Sequence, residues 1–250
     1  MRIVAIIQAR MGSTRLPGKI MKEVVNKPLL EYQIEQVRRS RTIDQIVIAT
    51  TTKDAEQPII DLCKRMSVDY YRGPEEDVLS RYYQAACCYG ADTVVRLTSD
   101  CPLVDPAVID EVITAFLSHS AGYDYVSNTM ERTYPRGYDV EVFSMKVLEQ
   151  AFKEAGSAAE REHVTSYLYG HPEVFRVGQV KQTPDLSAYR LTVDTEEDFE
   201  LIARLITALC GKRRDGFTLD EVITLLQENP DWVWINAHIE QKKADGNRRA

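Results

Sequence analysis

The chain contains few cysteines and no long apolar segment, and each absence excludes whole classes of protein. There are five cysteines among 250 residues, an odd number with no C-x-x-C pair, so neither a disulfide framework nor a zinc site is predicted. No window approaches the roughly 18 apolar residues of a membrane-spanning helix, and the short run after Arg2 passes directly into charge, unlike a signal peptide. We therefore expect a cytoplasmic protein with reduced thiols.

The sequence also lacks the short motifs of several common enzyme classes. It has no G-x-S-x-G, no H-E-x-x-H and no G-x-x-x-x-G-K pattern, which excludes several classes of hydrolase and ATPase. A formal net charge of -7 argues against broad affinity for nucleic acid or for membrane surfaces, so a polyanion must be bound locally. A hydrophobic fraction of 44% predicts one large folded core rather than a disordered or fibrous chain.

Acidic residues are missing from the first 22 positions, and this local absence marks the most informative segment. Five basic residues lie between Met1 and Lys22, and the first carboxylate is Glu23. The run Ile3–Ile7 predicts a buried strand, which leads into a loop with glycines and cations over residues 8–19. Glycine amides and basic side chains together suit the phosphates of a ligand, whereas the alternative is an ordinary exposed basic turn.

Strands and helices alternate along the first half of the chain. The predicted strands cover residues 3–7, 45–50, 68–71 and 93–98, and the predicted helices cover 29–37, 54–66, 75–89 and a segment beginning at Pro106. This alternation predicts an α/β fold with a doubly wound, mostly parallel sheet, in which ligands bind outside the carboxyl ends of the strands. The loops 8–19 and 98–105 both lie at that edge.

The regular alternation of strands and helices ends in the second half of the chain, where strands are predicted on both sides of an irregular segment over Met130–Gly137. The predicted strands are 123–127, 138–143, 174–180 and 189–193, and the predicted helices are 145–155, 160–170, 196–209 and a final one to Asn229 that begins with a Thr218/Glu221 capping box. We predict a single domain over residues 1–250. Within it, 123–180 would form a small inserted α+β segment and 239–250 a polar tail.

Acidic side chains follow or lie within three predicted strands, at Asp100, at Asp194 and at Asp139/Glu141. Asp100 and Asp194 could face the basic loop together and hold Mg²⁺, which takes one or two carboxylates together with substrate phosphates. The alternative is that each aspartate caps a turn or a helix. Asp198 is a weaker candidate ligand, because it falls in the first turn of a helix.

Two further polar sites leave their alternatives open. The run 160–163 (Glu-Arg-Glu-His) could contact a polar ligand through several donors and acceptors, but such runs are more often solvated helix faces. Cys101 lies beside Asp100 and would be a nucleophile in one interpretation, but a neighbouring carboxylate hinders thiolate formation and no histidine is adjacent in sequence, so a structural thiol is expected there.

Three motifs in this order resemble the CMP-sugar-acid synthetases, the cytidylyltransferase family that activates sialic acids and 3-deoxy-manno-octulosonate. Residues 9–19 (Ala-Arg-Met-Gly-Ser-Thr-Arg-Leu-Pro-Gly-Lys) resemble the family's nucleotide loop, 96–102 (Arg-Leu-Thr-Ser-Asp-Cys-Pro) its second motif, and 193–195 (Val-Asp-Thr) its metal-binding motif. Residues 136–143 and 161–165 are most similar to the branch called spore coat polysaccharide biosynthesis protein F. The resemblance implies a fold of the nucleotide-diphosphosugar transferase type.

The resemblance also implies roles for individual residues. Arg10, Lys19 and Asp100 would be catalytic, and Asp100 and Asp194 would hold Mg²⁺ as the cofactor. The implied nucleotide-binding residues are Gln8, Ala9, Arg10, Gly12, Ser13, Arg15, Lys19, Arg96 and Thr98. The implied sugar-binding residues are Tyr138, Glu141, Arg161 and His163.

The implied activity is transfer of CMP from CTP to a sugar acid or a related sugar, with release of pyrophosphate, in surface or spore coat polysaccharide biosynthesis. The sugar hydroxyl would attack the α-phosphorus in line, with catalysis by positioning and charge neutralisation. The implied partners are CTP and a small sugar, without nucleic acid or membrane. A homodimer with the middle segment at the subunit contact is implied by the same resemblance.

The sugar itself is not implied, because the segments around 134–141 and 161–163 depart from the sialic-acid and octulosonate enzymes. One alternative is a sugar-1-phosphate nucleotidylyltransferase that uses UTP, GTP or dTTP, whose loops carry paired glycines where this chain has Ala9-Arg10. A glycosyltransferase would carry Asp-x-Asp, whereas Asp100 precedes Cys101-Pro102. A non-catalytic nucleotide-binding homologue is the remaining alternative, although it would have no need of both metal carboxylates.

Overall fold

A computed structural model describes residues 1–118, 122–212 and 216–241 of the chain. The strands are β1 (Ile3–Gln8), β2 (Glu23–Val24), β3 (Lys27–Pro28), β4 (Gln45–Thr51), β5 (Asp69–Gly73), β6 (Thr93–Thr98), β7 (Tyr125–Ser127), β8 (Glu141–Ser144) and β9 (Val177–Gln179). The α-helices are α1 (Leu29–Val37), α2 (Gln57–Met66), α3 (Val78–Cys88), α4 (Pro106–Ser118), α5 (Met145–Glu154), α6 (Ala158–His163), α7 (Ser166–Gly170), α8 (Glu196–Lys212), α9 (Leu219–Glu228) and α10 (Pro230–Val233).

Seven strands form one sheet in the order β5-β4-β1-β6-β8-β7-β9, and β2 pairs with β3 in a separate hairpin. Strands β5, β4, β1 and β6 are parallel, β8 is antiparallel to both of its neighbours, and β7 pairs with β9 in parallel. Mostly parallel pairing with a helix after each of the first strands confirms the predicted doubly wound α/β fold.

Both faces of the sheet are buried, which explains the continuous apolar runs of the first strands. Ile3, Ala5 and Ile7 pack into a core that includes side chains of α1, α2, α4, α8 and α9. Val4 and Ile6 point to the opposite face, where α3, α5 and α7 complete a second core. The two cores hold the strand ends in fixed register, so the loops after β1 and β6 emerge side by side at one edge.

The prediction of a strand over residues 189–193 is wrong. This segment makes a single parallel bridge, between Arg136 and Arg190. Its amides bond to two different loops, because Leu191 N donates to Arg136 O at 2.7 Å and Val193 N donates to Asp100 O at 2.9 Å. A ladder needs one continuous partner strand, and here the partner changes within three residues.

The predicted helix over residues 160–170 is two helices, α6 and α7. Val164 separates them with a φ of 58°, a backbone conformation that β-branched residues rarely adopt. Thr165 follows it and bonds through its hydroxyl to the buried Glu141 carboxylate at 2.6 Å. A tertiary contact therefore breaks a helix that local spacing favoured.

Smaller differences concern the ends of elements and short segments. The predicted strand 138–143 begins only at Glu141, the predicted strand 174–180 shrinks to β9, and both the β2/β3 hairpin and α10 lie in segments where no element was predicted. The predicted capping box of Thr218 and Glu221 is confirmed at the start of α9. The predicted polar tail lies outside the described residues from position 242 onward. In the described part of the chain, no helix is long and apolar enough to cross a bilayer.

Candidate active site

The loop after β1 is anchored at two buried residues and shaped by its own backbone. Ala9 and Leu16 are buried, and the carbonyl of Met11 accepts hydrogen bonds from the amides of Ser13 and Gly18, both at 3.0 Å. Gly18 has a φ of 67°, which glycine adopts without strain. The chain is thereby turned back toward the sheet before residue 19.

Glu56 fixes the start of this loop from the neighbouring strand connection. Its carboxylate accepts hydrogen bonds from the amide of Met11 at 2.8 Å and from the hydroxyl of Thr51 at 3.0 Å. The Glu56 side chain is almost fully buried, so these bonds compensate the cost of burying its charge. This role of Glu56 was not predicted, because nothing in the sequence around it indicates a contact 45 residues away.

Lys19 lies between Asp100 and Asp194, the two predicted metal ligands. Its ammonium donates to Asp100 Oδ2 at 3.2 Å, to Asp194 Oδ1 at 2.8 Å and to the carbonyl of Val193 at 2.6 Å. Burial lowers the pKa of Lys19, but Asp100 and Asp194 outweigh burial and the pKa lies above its ordinary value. The structure thus brings together the ends of β1 and β6 and the start of α8.

Asp194 is surrounded by three cations. Lys19 contacts its Oδ1, while Arg15 and Arg190 contact its Oδ2 at 2.9 Å and 3.0 Å. Burial raises the pKa of Asp194, but the three cations outweigh that effect and hold the pKa below its ordinary value. Asp194 does not cap α8, because Thr195 and Asp198 exchange the capping hydrogen bonds there.

The two carboxylates fit a hard divalent cation that also binds substrate. One ammonium contacts both Asp100 and Asp194, so their oxygens lie near enough to share a single ion. Within the described residues, no group of three or more His, Cys, Asp or Glu side chains could hold a metal ion by itself. Two carboxylates completed by phosphate oxygens and water is the ligand set that Mg²⁺ favours.

Arg10 lies close enough to Glu75, in the connection between β5 and α3, for its charge to act on that carboxylate. Its side chain is exposed, and the pKa of Glu75 is held below its ordinary value by Lys53 first, with Arg10 and Arg81 contributing. No described contact joins Arg10 to Asp100 or Asp194. The loop's cations therefore act on different carboxylates, since Lys19 and Arg15 contact Asp194 whereas Arg10 acts on Glu75.

The remaining nucleotide-side candidates line the strand ends. Gln8 and Thr98 are register partners at the ends of β1 and β6, and Gln8 Oε1 accepts a hydrogen bond from the Arg96 guanidinium at 3.2 Å. Gly12 is exposed and Ser13 partly so, which leaves that stretch of the loop accessible. Their roles in binding stay predictions.

Glu141 and Arg96 form a buried ion pair beneath the strand ends. Glu141 also accepts hydrogen bonds from Tyr125 and Thr165, both at 2.6 Å. Burial lowers the pKa of Arg96, but the Glu141 carboxylate outweighs it and raises that pKa. Arg96 Nε is buried without a hydrogen-bond partner among the described residues, an unsatisfied donor just below the predicted sugar side.

The other sugar-side candidates occupy different surroundings. Arg161 is held by Asp77, with Nε and Nη2 contacting one carboxylate oxygen at 2.8 Å and 2.7 Å, which ties α6 to the start of α3. His163 is partly exposed at the end of α6. Tyr138 is fully buried in the core, and its hydroxyl has no partner among the described residues. Their contact with a sugar stays a prediction.

Gly137 allows the segment around Tyr138 to approach the Asp194 loop. Its φ is 104°, and a Cβ there would collide with the backbone of Leu191 and Thr192. Near it, Arg132 binds Asp139 through two parallel contacts of 2.6 Å and 2.9 Å. This Arg132–Asp139 pair was not predicted, since only the fold brings it to the same edge as Asp100.

Comparison with known proteins gives the family. The model of the cytidylyltransferase family matches residues 4–239. The chain belongs to the cytidylyltransferase family. The predicted resemblance is confirmed, and so is the prediction of an enzyme of the CTP-dependent nucleotidyltransferase class.

Relatives match this chain over nearly its whole length or over about half of it. The chain is 37% identical to an uncharacterised protein of Methanocaldococcus jannaschii, covering 97% of each chain. It is also 37% identical to spore coat polysaccharide biosynthesis protein SpsF of Bacillus subtilis, covering 92% of this chain and 95% of that protein. A 3-deoxy-manno-octulosonate cytidylyltransferase of Geobacter sulfurreducens is 33% identical over 48% of each chain.

Solved structures agree with this assignment. A cytidylyltransferase from Leptospira borgpetersenii superposes with a TM-score of 0.89 at 32% identity, over 97% of this chain and all of that one. CMP:2-keto-3-deoxy-manno-octonic acid synthetase superposes with a TM-score of 0.63 at 17% identity, over 84% of this chain and all of that one. The second likeness shows the fold alone, and it is the nucleotidyltransferase fold that the motifs implied.

Proposed function

We propose that this cytidylyltransferase transfers CMP from CTP to a hydroxyl group of a sugar acid or a related sugar and releases pyrophosphate. The observation that supports this most is the contact of one ammonium, Lys19, with both Asp100 and Asp194 beside the loop 9–19. This arrangement combines a dense set of cations with two carboxylates at the edge where a parallel sheet binds ligands.

The cations and the loop amides would hold the triphosphate. Lys19 and Arg15 contact Asp194, and Arg10 is an exposed cation of the same loop near Glu75, so a triphosphate bound along the loop would meet several positive charges. Lys19 already balances two carboxylates, and the same ammonium can exchange those contacts for phosphate oxygens. Asp100 and Asp194 would hold Mg²⁺, which would supply further positive charge for the phosphates.

No protein nucleophile is needed for this transfer. The sugar hydroxyl would attack the α-phosphorus directly, and the oxygen that leaves belongs to pyrophosphate. Burial raises the pKa of Cys101 well above its ordinary value, with Asp100 adding to the effect, so this thiol stays protonated. Catalysis would therefore come from positioning and charge neutralisation.

The sugar side would lie where β6, β8 and the α6–α7 break meet. The unsatisfied Arg96 Nε and the strained Val164 are found there, and strain of this kind concentrates at ligand sites. The full-length relative SpsF is named for polysaccharide biosynthesis, and the octulosonate enzymes, matched over about half their length, for a sugar acid. We include in the proposal a cytoplasmic homodimer of single-domain subunits, with residues 123–180 at the sugar and dimer contacts.

A pyrophosphate-release assay tests the proposed reaction. The protein is incubated with Mg-CTP and a panel of sugar acids, and in parallel with Mg-UTP, Mg-GTP or Mg-dTTP and a panel of sugar 1-phosphates. We expect release with CTP and a sugar acid, ³¹P signals of a phosphodiester-linked CMP product, and no release by Asp100→Asn. Release only with a sugar 1-phosphate, giving a diphosphate product, would replace the proposal by the nucleotidylyltransferase alternative.

A further inference from the structure

The two carboxylate oxygens of Asp194 have different partners. Oδ1 faces Lys19, at 2.8 Å, on the side shared with Asp100. Oδ2 contacts the guanidinium groups of Arg190 and Arg15 at 3.0 Å and 2.9 Å. One oxygen is therefore held by two arginines, while the other contacts the ammonium that also binds Asp100.

Arg190 is itself held in a fixed orientation by Asp198. Its Nε contacts Asp198 Oδ1 at 2.8 Å and its Nη2 contacts Asp198 Oδ2 at 2.9 Å. The Asp198 side chain is completely buried and that of Arg190 is 7% exposed. Asp198 Oδ2 also accepts the amides of Asp194 and Thr195 at 2.9 Å and 3.1 Å, so backbone and side chain at position 194 are fixed by the same pair.

Residues from the far end of the described chain complete this arrangement. Asn236 is buried, and its amide donates to Asp198 Oδ1 at 2.8 Å and to the carbonyl of Arg190 at 3.0 Å. Gln241 accepts a hydrogen bond from Arg190 Nη1 at 2.7 Å. We call residues 236–241 the C-terminal strap, because the residues at its two ends hydrogen-bond to the Arg190–Asp198 pair.

We propose that Arg190 is a positioning residue for metal binding, held by Asp198 and by the C-terminal strap. This inference rests on the proposed metal role of Asp194. The contact of the guanidinium with Asp194 is additional to its two contacts with Asp198 and its one with Gln241, and together with Arg15 it holds Oδ2 of the Asp194 carboxylate. Groups that hydrogen-bond to a ligating carboxylate in this way set its orientation and its affinity for the ion.

A purely structural role for the buried pair predicts something different. A buried ion pair contributes little net stability compared with apolar side chains of the same size, and loss of a structural pair would lower the unfolding temperature without changing the metal site. A positioning role predicts weaker metal binding at unchanged affinity for the free nucleotide. The two roles are therefore separated by a binding measurement on folded protein.

The test compares Arg190→Lys with wild type in binding of Mn²⁺, measured by electron paramagnetic resonance in the presence of nucleotide. The nucleotide is the triphosphate that wild type binds most tightly, so a base other than cytosine would overturn the proposed function without affecting this inference. We expect the Mn²⁺ Kd to rise about 10- to 100-fold, while calorimetry shows metal-free nucleotide affinity within about twofold of wild type. Arg65→Lys is the matched control. It keeps the positive charge but replaces the guanidinium that contacts Glu31 on α1, and we expect its Mn²⁺ binding to equal that of wild type.

Asn236→Ala serves where Arg190→Lys does not fold, because it keeps the ion pair and the Gln241 contact and removes only the hydrogen bonds that Asn236 donates to Asp198 and to the carbonyl of Arg190. We expect a smaller rise in the Mn²⁺ Kd, in the same direction. Wild-type Mn²⁺ affinity in whichever variant is folded overturns the inference, and so does an equal loss of metal-free nucleotide affinity. Absence of metal-dependent nucleotide binding in wild type would overturn both this inference and the proposed function.

Discussion

Lys19 connects the nucleotide loop to both candidate metal ligands. Its ammonium makes three hydrogen bonds, two of them to carboxylates on separate segments of the chain. A single cation between two acids cannot be replaced by a neutral side chain without leaving a net negative cluster. In the proposed reaction the same charge is available to phosphate oxygens, which makes Lys19 the residue whose loss is most informative.

Replacing Lys19 by alanine should weaken the binding of metal-free CTP by roughly 1–3 kcal/mol, the range for a hydrogen bond to a charged group. Calorimetric titration measures this change directly. Lys22→Ala is the control, since Lys22 pairs with the exposed Glu196 and should change the affinity by only a few tenths of a kcal/mol. An unchanged Kd in Lys19→Ala would remove the proposed phosphate contact.

The buried pair of Arg96 and Glu141 gives a prediction about stability. In Glu141→Gln the Arg96 charge stays buried without its counter-ion, so we expect the free energy of unfolding to fall by roughly 3–5 kcal/mol. Urea denaturation measures it. Glu149→Gln breaks an exposed pair with Lys153 on α5 and should cost no more than about 0.5 kcal/mol. Equal losses in the two variants would show that burial of the Arg96 charge does not matter.

At the scale of elements, the start of α9 was correctly predicted because its signal is local. The Thr218 hydroxyl accepts the amide of Glu221, and the Glu221 carboxylate accepts the amide of Thr218. Thr218→Ala should lower the free energy of unfolding by about 1 kcal/mol. Thr224→Ala is the control, because among the described residues the Thr224 hydroxyl bonds to the carbonyl of Asp220 within α9, and its loss should leave stability nearly unchanged. A Thr218→Ala protein as stable as the control would contradict the importance of the cap.

Elements that depend on distant contacts could not be predicted in the same way. The break at Val164 accompanies a bond from Thr165 to Glu141, 24 residues away, and the segment 189–193 is divided between the loops at Arg136 and Asp100. Apolar spacing reports which face of an element is buried, but not which partner its amides find. The strand predictions therefore hold for β1, β4 and β6, and the strand prediction for residues 189–193 is wrong because the amides of this segment bond to two loops.

Across the whole molecule, the place of Asp100 could be predicted from sequence, because it follows β6 at the edge where the parallel strands end. Asp194 was predicted to follow a strand over residues 189–193 that the structure does not contain, and hydrogen bonds from Leu191 to Arg136 and from Val193 to Asp100 bring it to this edge instead. The holding of Asp194 by Arg190, Asp198 and Asn236 could not be predicted. Asn236 lies 46 residues from Arg190 in sequence, and no local pattern marks such a contact.

The charge balance of the site predicts how stability depends on pH. The pKa of Asp194 is lowered, because its three cations outweigh burial, so its contribution is present above about pH 4 and is lost as the pH falls through the depressed value. The pKa of Lys19 is raised, so its contribution is present below about pH 10 and is lost as the pH rises through the raised value.

The acid side of this dependence is tested with Asp194→Asn. We expect the free energy of unfolding of wild type to fall more steeply than that of the variant between about pH 5 and pH 3, since only wild type carries the depressed carboxylate. Urea denaturation at a series of pH values, without nucleotide or metal, measures both slopes. Parallel slopes would show that the three cations do not stabilise this carboxylate.

The most direct test of the proposed function is calorimetric binding of CTP, UTP, GTP, ATP and dTTP to the purified protein, each with and without Mg²⁺. The arrangement of Lys19, Asp100 and Asp194 predicts tight, metal-enhanced binding, and the family assignment predicts that CTP is preferred. Equal or tighter binding of another triphosphate would contradict a cytidylyltransferase, and affinities unaffected by Mg²⁺ would contradict the two aspartates as its ligands.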